Sequence, residues 1–272
     1  MQAINRYFVH ACGCSETGRV REANEDAFVV ADLSEEVRME KNGVLRFPSG
    51  PRGSLFAVAD GMGGAAAGEM ASRLGIRTLY REVQEFAREL QEPSTEELEQ
   101  ILIDAVGTAN RRIFDLGQSD RNLAGMGTTL TGVLEVGGRL VVGQIGDSRA
   151  YLLREDRLRQ LTRDQSLVAQ EVINGTITEE EAQRHPQRNI LLQALGVKKT
   201  VELALNGASV YPGDVILLCS DGLHAQISGG EIWEVIVESA SPEAACRELV
   251  ALANARGGPD NITAVLIQFT VK

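Results

Sequence analysis

The sequence predicts an α+β fold in which pairs of helices cover sheets built from runs of strands. Two observations lead to this prediction: strand patterns follow one another without an intervening helix, and helical patterns come in pairs. A third observation bears on size. The 272 residues can bury a large core, and they contain no internal repeat, long linker or low-complexity tract. We therefore expect one domain over residues 1–272.

Residues 1–60 have strand patterns, which are clearest at 27–33 and 55–59. Asn42-Gly43 lies between two short apolar segments, 37–39 and 44–47, and this arrangement predicts the tip of a small hairpin.

Two helices are expected next. The first is predicted at 66–90, with one apolar stripe formed by Met70, Leu74, Leu79, Val83 and Phe86. The second begins at Ser94, because Ser94 and Glu97 have the spacing of a capping box. We expect both apolar stripes to contact the core.

Residues 128–161 predict a meander of strands with turns at Gly137-Gly138 and Glu155-Asp156. A polar, helical module follows at 162–190, inserted between strands. Further strands are expected at 201–205, 215–219 and 262–269. Two helices precede the last strand: one starts at the capping box of Ser228 and Glu231, and the other starts at Ser241-Pro242 and ends at Gly257-Gly258.

Composition excludes several classes of function. The net charge is −11 and no basic stretch is present, so nucleic acid is not an expected partner. The N-terminal residues lack the layout of a signal peptide, and no apolar run is long enough to span a membrane. The four cysteines form no CxxC pair, and we interpret them as buried or incidental thiols of a reducing cytoplasm.

Aspartates recur at the ends of apolar runs, each with glycine beside it. Asp60, Asp147 and Asp221 end three such runs, and Asp260 stands just before the last predicted strand. The glycines let the backbone turn and let another group approach closely. Several carboxylates brought together repel one another unless a cation lies between them. The pattern therefore predicts a metal site with several carboxylate ligands.

The ligand types favour Mg²⁺ or Mn²⁺ over zinc, because they are hard oxygen donors without histidine or cysteine. They are spread over some 200 positions, which excludes a calcium-binding loop of the EF-hand type. The glycines after Asp60 do not follow the dinucleotide-binding spacing. Arg21 precedes Glu25 and Asp26; it could form a surface ion pair or bind two phosphate oxygens.

Eight motifs occur in one order: GRVREANEDAF, VADGMGG, GMGTTL, IGDSRAYLL, LTRDQSL, NILLQALG, LLCSDGL and GGPDNITAVLI. In this order they resemble the successive motifs of the metal-dependent serine/threonine protein phosphatases of type 2C, bacterial branch. They span about residues 18–267, nearly the whole chain. The resemblance implies an antiparallel β-sandwich flanked by helix pairs, in four αββα layers, with a flap at about 162–190.

The resemblance also assigns roles to the aspartates. Asp60 would bridge two Mn²⁺ or Mg²⁺ ions, the Gly61 carbonyl would bind one ion, and Asp221 and Asp260 would bind the other. Arg21 would hold the substrate phosphate. Glu25 and Asp26 would act through metal-bound waters, and Asp147 would help to bind a third, weaker ion.

The implied function is hydrolysis of phosphoserine and phosphothreonine in proteins, by in-line attack of a water that bridges the two ions. Its expected partners are substrates of a cytoplasmic serine/threonine kinase in signal transduction, and we expect a cytoplasmic monomer.

The chain departs from the family pattern at a few positions. Met62 stands where many eukaryotic relatives have a histidine that serves as the acid for the leaving alcohol. His224 is the nearest other candidate, although we expect a solvated loop histidine there. Gln165 departs from the family pattern without an expected catalytic consequence, and the long 34–52 segment has no assigned role.

Two alternatives of other kinds remain. The first is a catalytically silent binding or sensing module of the same fold, although such modules usually lose a metal aspartate and none is missing here. The second is a phosphatase of a partner-switching pathway. Those enzymes usually carry a sensor domain, for which this chain has no room.

Overall fold

The computed structural model describes residues 7–89 and 91–271. The strands are Tyr7–Glu16 (β1), Asp26–Asp32 (β2), Val37–Met39 (β3), Gly43–Pro48 (β4), Ser54–Met62 (β5), Gly127–Thr128 (β6), Leu130–Val136 (β7), Arg139–Ile145 (β8), Arg149–Arg154 (β9), Arg157–Gln160 (β10), Ala204–Ser209 (β11), Val215–Cys219 (β12) and Ile262–Val271 (β13). The helices are Ala65–Glu89 (α1), Thr95–Ser119 (α2), Leu167–Ile173 (α3), Glu179–Arg184 (α4), Asp221–His224 (α5), Gly229–Glu238 (α6) and Pro242–Ala255 (α7), with a 3₁₀ turn at Arg121–Leu123.

Two antiparallel sheets form the centre of the molecule. One has the strand order β10-β9-β12-β13-β1-β4, and the other has the order β11-β8-β7-β5-β2-β3, with β6 paired to the end of β5. Their facing sides enclose an apolar core in which Phe56 and Phe269 meet edge to face, with ring centroids 6.5 Å apart. The predicted β-sandwich is therefore confirmed.

Helices cover the outer face of each sheet. The pair α1 and α2 packs on the sheet that contains β2 and β5, over a second apolar layer that includes Val29 and Leu55. The helices α6 and α7 pack on the other sheet, where α7 contacts β1 and β13 over a third layer that includes Leu217 and Leu266. Both faces of the central strands are consequently buried, which accounts for their continuous apolar runs. The four αββα layers agree with the prediction.

Local signals at element ends are confirmed. Ser94 and Ser228 each form the predicted capping box with the glutamate three residues later, and Thr178 forms a third one that was not predicted. Pro242 opens α7, and its N-cap Ser241 accepts a hydrogen bond from the Ala244 amide. These interactions join residues only three positions apart, so a local sequence pattern is enough to predict them.

The predicted hairpin around Asn42-Gly43 is wrong. β3 pairs with β2, whereas β4 pairs with β1 in the opposite sheet, so this segment crosses between the two sheets. Pairing with β1 places Phe47 and Leu45 in the core between the sheets. A local hairpin would instead pair β4 with β3, in which Val37 is exposed, and this pairing would bury little apolar surface.

Two other predictions need correction. The buried face of α1 is built largely from Ala67, Ala71, Leu79 and Val83, whereas Met70 and Phe86 are exposed. The small alanines let the helix lie close to its sheet, and a search for bulky residues overlooks them. The strand predicted at 201–205 is displaced to β11, because residues 204–209 are the ones that pair with β8.

The predicted polar module at 162–190 contains α3 and α4. The predicted strand pattern at 1–6 and the predicted helix end at Leu90 lie outside the described residues. Within the described ranges, 7–89 and 91–271, no helix is both long enough and apolar enough to cross a membrane.

Candidate metal centre

The predicted aspartates meet at one end of the sandwich. Asp26 opens β2 directly opposite Asp60 on β5, in register across the antiparallel pair. Asp221 opens α5 after β12, and Asp260 lies just before β13, which pairs with β12. Asp147 follows β8. Both sheets therefore contribute carboxylates to the same region, as the sequence predicted.

Asp26 is buried and is held by two hydroxyl groups. Its Oδ2 accepts hydrogen bonds from Ser220 Oγ at 2.7 Å and from Thr263 Oγ1 at 2.6 Å. Its Oδ1 is buried without a hydrogen-bond partner. Burial and the charges of Asp221 and Asp260 raise the pKa of Asp26 to about 7, even though the two hydroxyls favour the anion.

Asp60 lies at the centre of the negative charge. Its amide donates to Thr129 Oγ1 at 2.9 Å, and its carbonyl accepts from Thr128 Oγ1 at 2.8 Å, so its backbone is fixed on both sides. Burial raises its pKa well above the ordinary value, and the charges of Asp26 and Asp221 add to this effect. A carboxylate in this position is stabilised as an anion when a cation is bound.

Asp221 resembles Asp26 and Asp60 in being a buried carboxylate with a raised pKa. Its Oδ1 is buried without a hydrogen-bond partner, and burial together with the charge of Asp260 raises its pKa. Unsatisfied buried oxygens are rare in proteins and call for a partner such as an ion. The oxygens of Asp26 and Asp221, in a site whose other donors are carboxylates, therefore suit a hard divalent cation.

Gly61 allows three backbone segments to come close together beside Asp60. A Cβ atom at this position would lie 2.2 Å from the Gly68 carbonyl oxygen and 2.7 Å from the Glu25 carbonyl oxygen. The Gly61 amide donates to the same Glu25 oxygen at 3.2 Å. This contact positions β5 and the start of α1 against the loop before β2, and it explains the glycine after Asp60.

Arg21 reaches the site from the loop before β2. Its Nη2 donates to Asp260 Oδ2 at 2.7 Å, and this bond raises the pKa of the guanidinium. The ion pair is thus formed with an aspartate far away in the chain and not with its sequence neighbours. Glu25 is buried next to Gly68, and burial raises the pKa of its carboxyl. Arg21 itself stays exposed and accessible to a substrate.

Asp147 lies next to Asp221, and burial together with the Asp221 charge raises its pKa to about 8. The Asp147 carbonyl lies 3.0 Å from Nε2 of His224, which must donate this hydrogen bond. His224 is therefore a half-buried residue of α5 and not a solvated loop histidine, and burial lowers its pKa to about 4.

Gln165 connects the 162–190 segment to this region. Its side-chain Oε1 accepts a hydrogen bond from the Gly146 backbone amide at 2.8 Å, and its own backbone amide donates to the Gly146 carbonyl at 3.0 Å. Arg149 adds a paired contact with Asp164, through Nε to Oδ1 at 2.9 Å and Nη2 to Oδ2 at 2.7 Å. The base of the segment is thereby fixed on both sides of Asp147.

Sequence reasoning missed the residues that hold the carboxylates. Ser220 and Thr263 bind Asp26, while Thr129 binds the Asp60 backbone and also Ser148 Oγ at 2.7 Å. Asn261 accepts from the Glu25 amide at 2.8 Å. The available signal was their position, because Ser148, Ser220, Asn261 and Thr263 lie within three residues of a motif aspartate and Thr129 lies in the GMGTTL motif.

Comparisons with known proteins agree with this arrangement. The family model described as protein phosphatase 2C matches residues 45–260. The serine/threonine phosphatase stp of Listeria innocua is 35% identical over 260 residues, covering 96% of each chain. The serine/threonine phosphatase PstP of Mycobacterium tuberculosis is 43% identical over 212 residues, covering 78% of this chain and 40% of the relative.

Solved structures give the same result. A crystal structure of the M. tuberculosis phosphatase PstP/Ppp matches with a TM-score of 0.80 and 38% identity, covering 97% of this chain and 99% of that chain. The PstP catalytic domain in complex with two manganese ions matches with a TM-score of 0.78 and 36% identity, covering 97% and 99%. The protein belongs to the protein phosphatase 2C family.

Proposed function

We propose that this protein is a metal-dependent phosphoprotein phosphatase that hydrolyses phosphoserine and phosphothreonine esters. The observation that carries the proposal is the pair of unpartnered, buried oxygens on Asp26 and Asp221, in a carboxylate cluster with Arg21 at its edge. The activities of the stp and PstP relatives and the two manganese ions of the PstP complex support the same function.

Asp60, the Gly61 carbonyl, Asp221 and Asp260 would hold two Mn²⁺ or Mg²⁺ ions, with Glu25 and Asp26 acting through water and Asp147 serving a third, weaker ion. When bound, such ions lower the pKa of water and neutralise charge on the phosphate in an in-line displacement. The resemblance to relatives with these motifs supports the roles, and so does the position of the residues at one end of the sandwich.

Arg21 would bind the phosphate of the substrate. Its planar guanidinium can donate two parallel hydrogen bonds to phosphate oxygens, and its exposed position leaves it accessible. To do so it would exchange its bond with Asp260 for bonds to the substrate, at low cost because the pair is partly solvated.

The proton for the leaving alcohol would come from water in the site. Met62 has no proton to donate. His224 has its Nε2 hydrogen engaged by the Asp147 carbonyl, and its pKa of about 4 keeps it neutral near pH 7. Neither side chain can therefore serve as a general acid at neutral pH.

We further propose a single domain over residues 1–272, a cytoplasmic monomer, and substrates phosphorylated by a serine/threonine kinase in signal transduction. The match of stp over 96% of both chains supports the single domain.

The test is hydrolysis of a phosphothreonine peptide with Mn²⁺, with EDTA, and by the Asp221→Asn variant. We expect activity that requires the metal and falls at least about 100-fold in the variant. Asp115→Asn, which changes an exposed aspartate of α2, is the matched control and should retain activity. Tight Mn²⁺ binding by calorimetry without hydrolysis would reject the phosphatase and support a silent binding module.

A further inference from the structure

Three cysteines converge in a group that contains none of the carboxylates, on the outer face of the sheet that holds β1. Cys12 and Cys14 are two residues apart on β1, so both point to the outer face of the sheet. Cys246 lies on α7, which packs on that face. The three sulfur atoms lie within 4.8 Å of one another, and this is the only group of three such ligand atoms found in residues 7–89 and 91–271.

Burial alone does not explain this grouping. Cys12 and Cys246 are 3% and 0% exposed within the apolar layer between sheet and helix, where any small apolar residue would pack as well. Cys14 is the least buried residue of the three. The fourth cysteine, Cys219, lies in the same apolar layer but outside the group. Burial in this apolar layer is therefore not sufficient to bring cysteines together. The three sulfurs meet because of where Cys12, Cys14 and Cys246 lie on β1 and α7.

The local chemistry favours a sulfur anion in the cluster. The neighbouring thiols of Cys12 and Cys246, assisted by the charge of the Arg247 guanidinium, lower the pKa of Cys14, whereas its neighbours Cys12 and Cys14 raise the pKa of Cys246. Cys246 Sγ also lies 3.3 Å from the Ala264 carbonyl, to which its hydrogen can be donated. A thiolate is the form of cysteine that binds metals.

We propose that Cys12, Cys14 and Cys246 form a binding site for one thiophilic cation of the Zn²⁺ class, separate from the carboxylate centre. Three thiolates suit a soft cation and not the hard ions that carboxylates bind. Zinc–sulfur bonds of about 2.3 Å require only small movements of sulfurs already this close. Water would supply the fourth ligand of a tetrahedral site.

Binding would connect two distant parts of the chain. Cys12 and Cys246 are separated by 234 residues, and a shared ion would hold β1 against α7. The thiol protons would leave to solvent as the sulfurs become ligands. An ion that binds only the folded protein should raise its melting temperature.

The test uses the reduced, full-length protein with its carboxylate centre saturated by Mn²⁺. Titration with Cd²⁺ should produce a sulfur-to-cadmium charge-transfer band that saturates at one ion per chain, which carboxylate ligands cannot produce. Zn²⁺ should remove the band by competition, and further Mn²⁺ should not. Zn²⁺ should also protect the three thiols from alkylation, as read by mass spectrometry.

Two variants and a matched control assign the band to the cluster. Cys14→Ser and Cys246→Ala should each weaken Cd²⁺ binding at least tenfold, whereas Cys219→Ala should leave it unchanged. A missing band, or one with unchanged Cd²⁺ affinity in Cys14→Ser, would overturn the proposal. If Cys246→Ala does not fold, Cys14→Ser and the alkylation pattern decide, because Cys14 is only half-buried and the serine keeps its size.

Discussion

At the scale of residues, two hydroxyl groups hold Asp26 through one of its carboxylate oxygens. Ser220 and Thr263 both donate to Oδ2, which leaves Oδ1 facing the site without a partner. Ser220 Oγ also accepts from the Thr263 amide at 3.0 Å, so the two residues fix each other. Partners of this kind orient a carboxylate and favour its charged form, as they do around metal ligands in general.

Thr263→Val tests this positioning role. The substitution keeps the shape of the side chain but removes the donor to Asp26, so the anion becomes less stable and less well oriented. We expect Mn²⁺ affinity to fall about tenfold, by calorimetry. Thr270→Val, on the same strand but bonded to the Phe8 carbonyl, is the control. Equal Mn²⁺ affinity in both variants would contradict the role of Thr263.

Arg21→Lys tests phosphate binding. Lysine keeps the positive charge but lacks the planar fork, so the second phosphate contact is lost. We expect kcat/KM for a phosphothreonine peptide to fall about 10- to 100-fold, with little change in Mn²⁺ affinity. Arg19→Lys, a nearby exposed arginine that binds the Asn254 carbonyl, should keep full activity. An unchanged kcat/KM would show that Arg21 serves only as the ion-pair partner of Asp260.

At the scale of elements, close backbone contacts position the site. Helix α5, which begins with Asp221, lies against the loop before β13. A Cβ atom on Gly222 would be 2.0 Å from the Asn261 carbonyl oxygen. The glycine after Asp221 therefore allows α5 to approach the segment that carries Asp260, just as Gly61 allows β5 to approach the loop at Glu25.

Gly222→Ala should separate these two elements. The backbone oxygen of Asn261 cannot move aside as a flexible side chain can, so we expect a loss of about 1–3 kcal/mol in unfolding free energy, measured by urea denaturation. Mn²⁺ affinity should fall as well. Gly230→Ala in α6 is the control, because its new Cβ would meet no atom within 4 Å. It should be neutral or stabilising by up to about 1 kcal/mol. Equal effects of the two variants would refute the close-contact explanation.

At the scale of the whole molecule, the acidic cluster makes metal-free stability dependent on pH. Burial and mutual repulsion raise the pKa of Asp26 to about 7 and that of Asp147 to about 8, well above the ordinary value of an aspartate. Between the ordinary value and these raised values the folded protein binds more protons than the unfolded chain. Stability contributed by the protonated carboxyls is therefore present at low pH and lost as pH rises toward 8.

Bound Mn²⁺ should reverse this trend. The ion replaces the protons, so its affinity should rise as pH increases from about 6 to about 8. We expect the gain in melting temperature on adding Mn²⁺, relative to EDTA, to be larger at about pH 8 than at about pH 6. Asp221→Asn should shrink the gain at both pH values, and a gain that is independent of pH would contradict the raised pKa values.

Much of the fold could be predicted because its signals are local. Capping boxes at Ser94 and Ser228 and the turn at Gly137-Gly138 depend on residues within one turn of chain, and they lie where they were predicted. The site aspartates could be found for the same reason, since each ends or precedes an apolar run with glycine nearby. The prediction that Met70 and Phe86 contact the core was wrong because α1 packs on its sheet through alanines. Alanine is small and occurs on both buried and exposed helix faces, so it does not mark the buried face in the sequence.

The sequence by itself determined the four-layer α+β class, the family, and the carboxylates that gather at one end of the sandwich. Only the tertiary structure decided which distant residues meet. It placed β3 and β4 in opposite sheets, brought Ser220 and Thr263 onto Asp26, and joined Cys12 and Cys14 to Cys246. The reason is physical: these contacts depend on how two sheets and their helices pack as a whole, and that packing leaves no periodic pattern in the segments that take part.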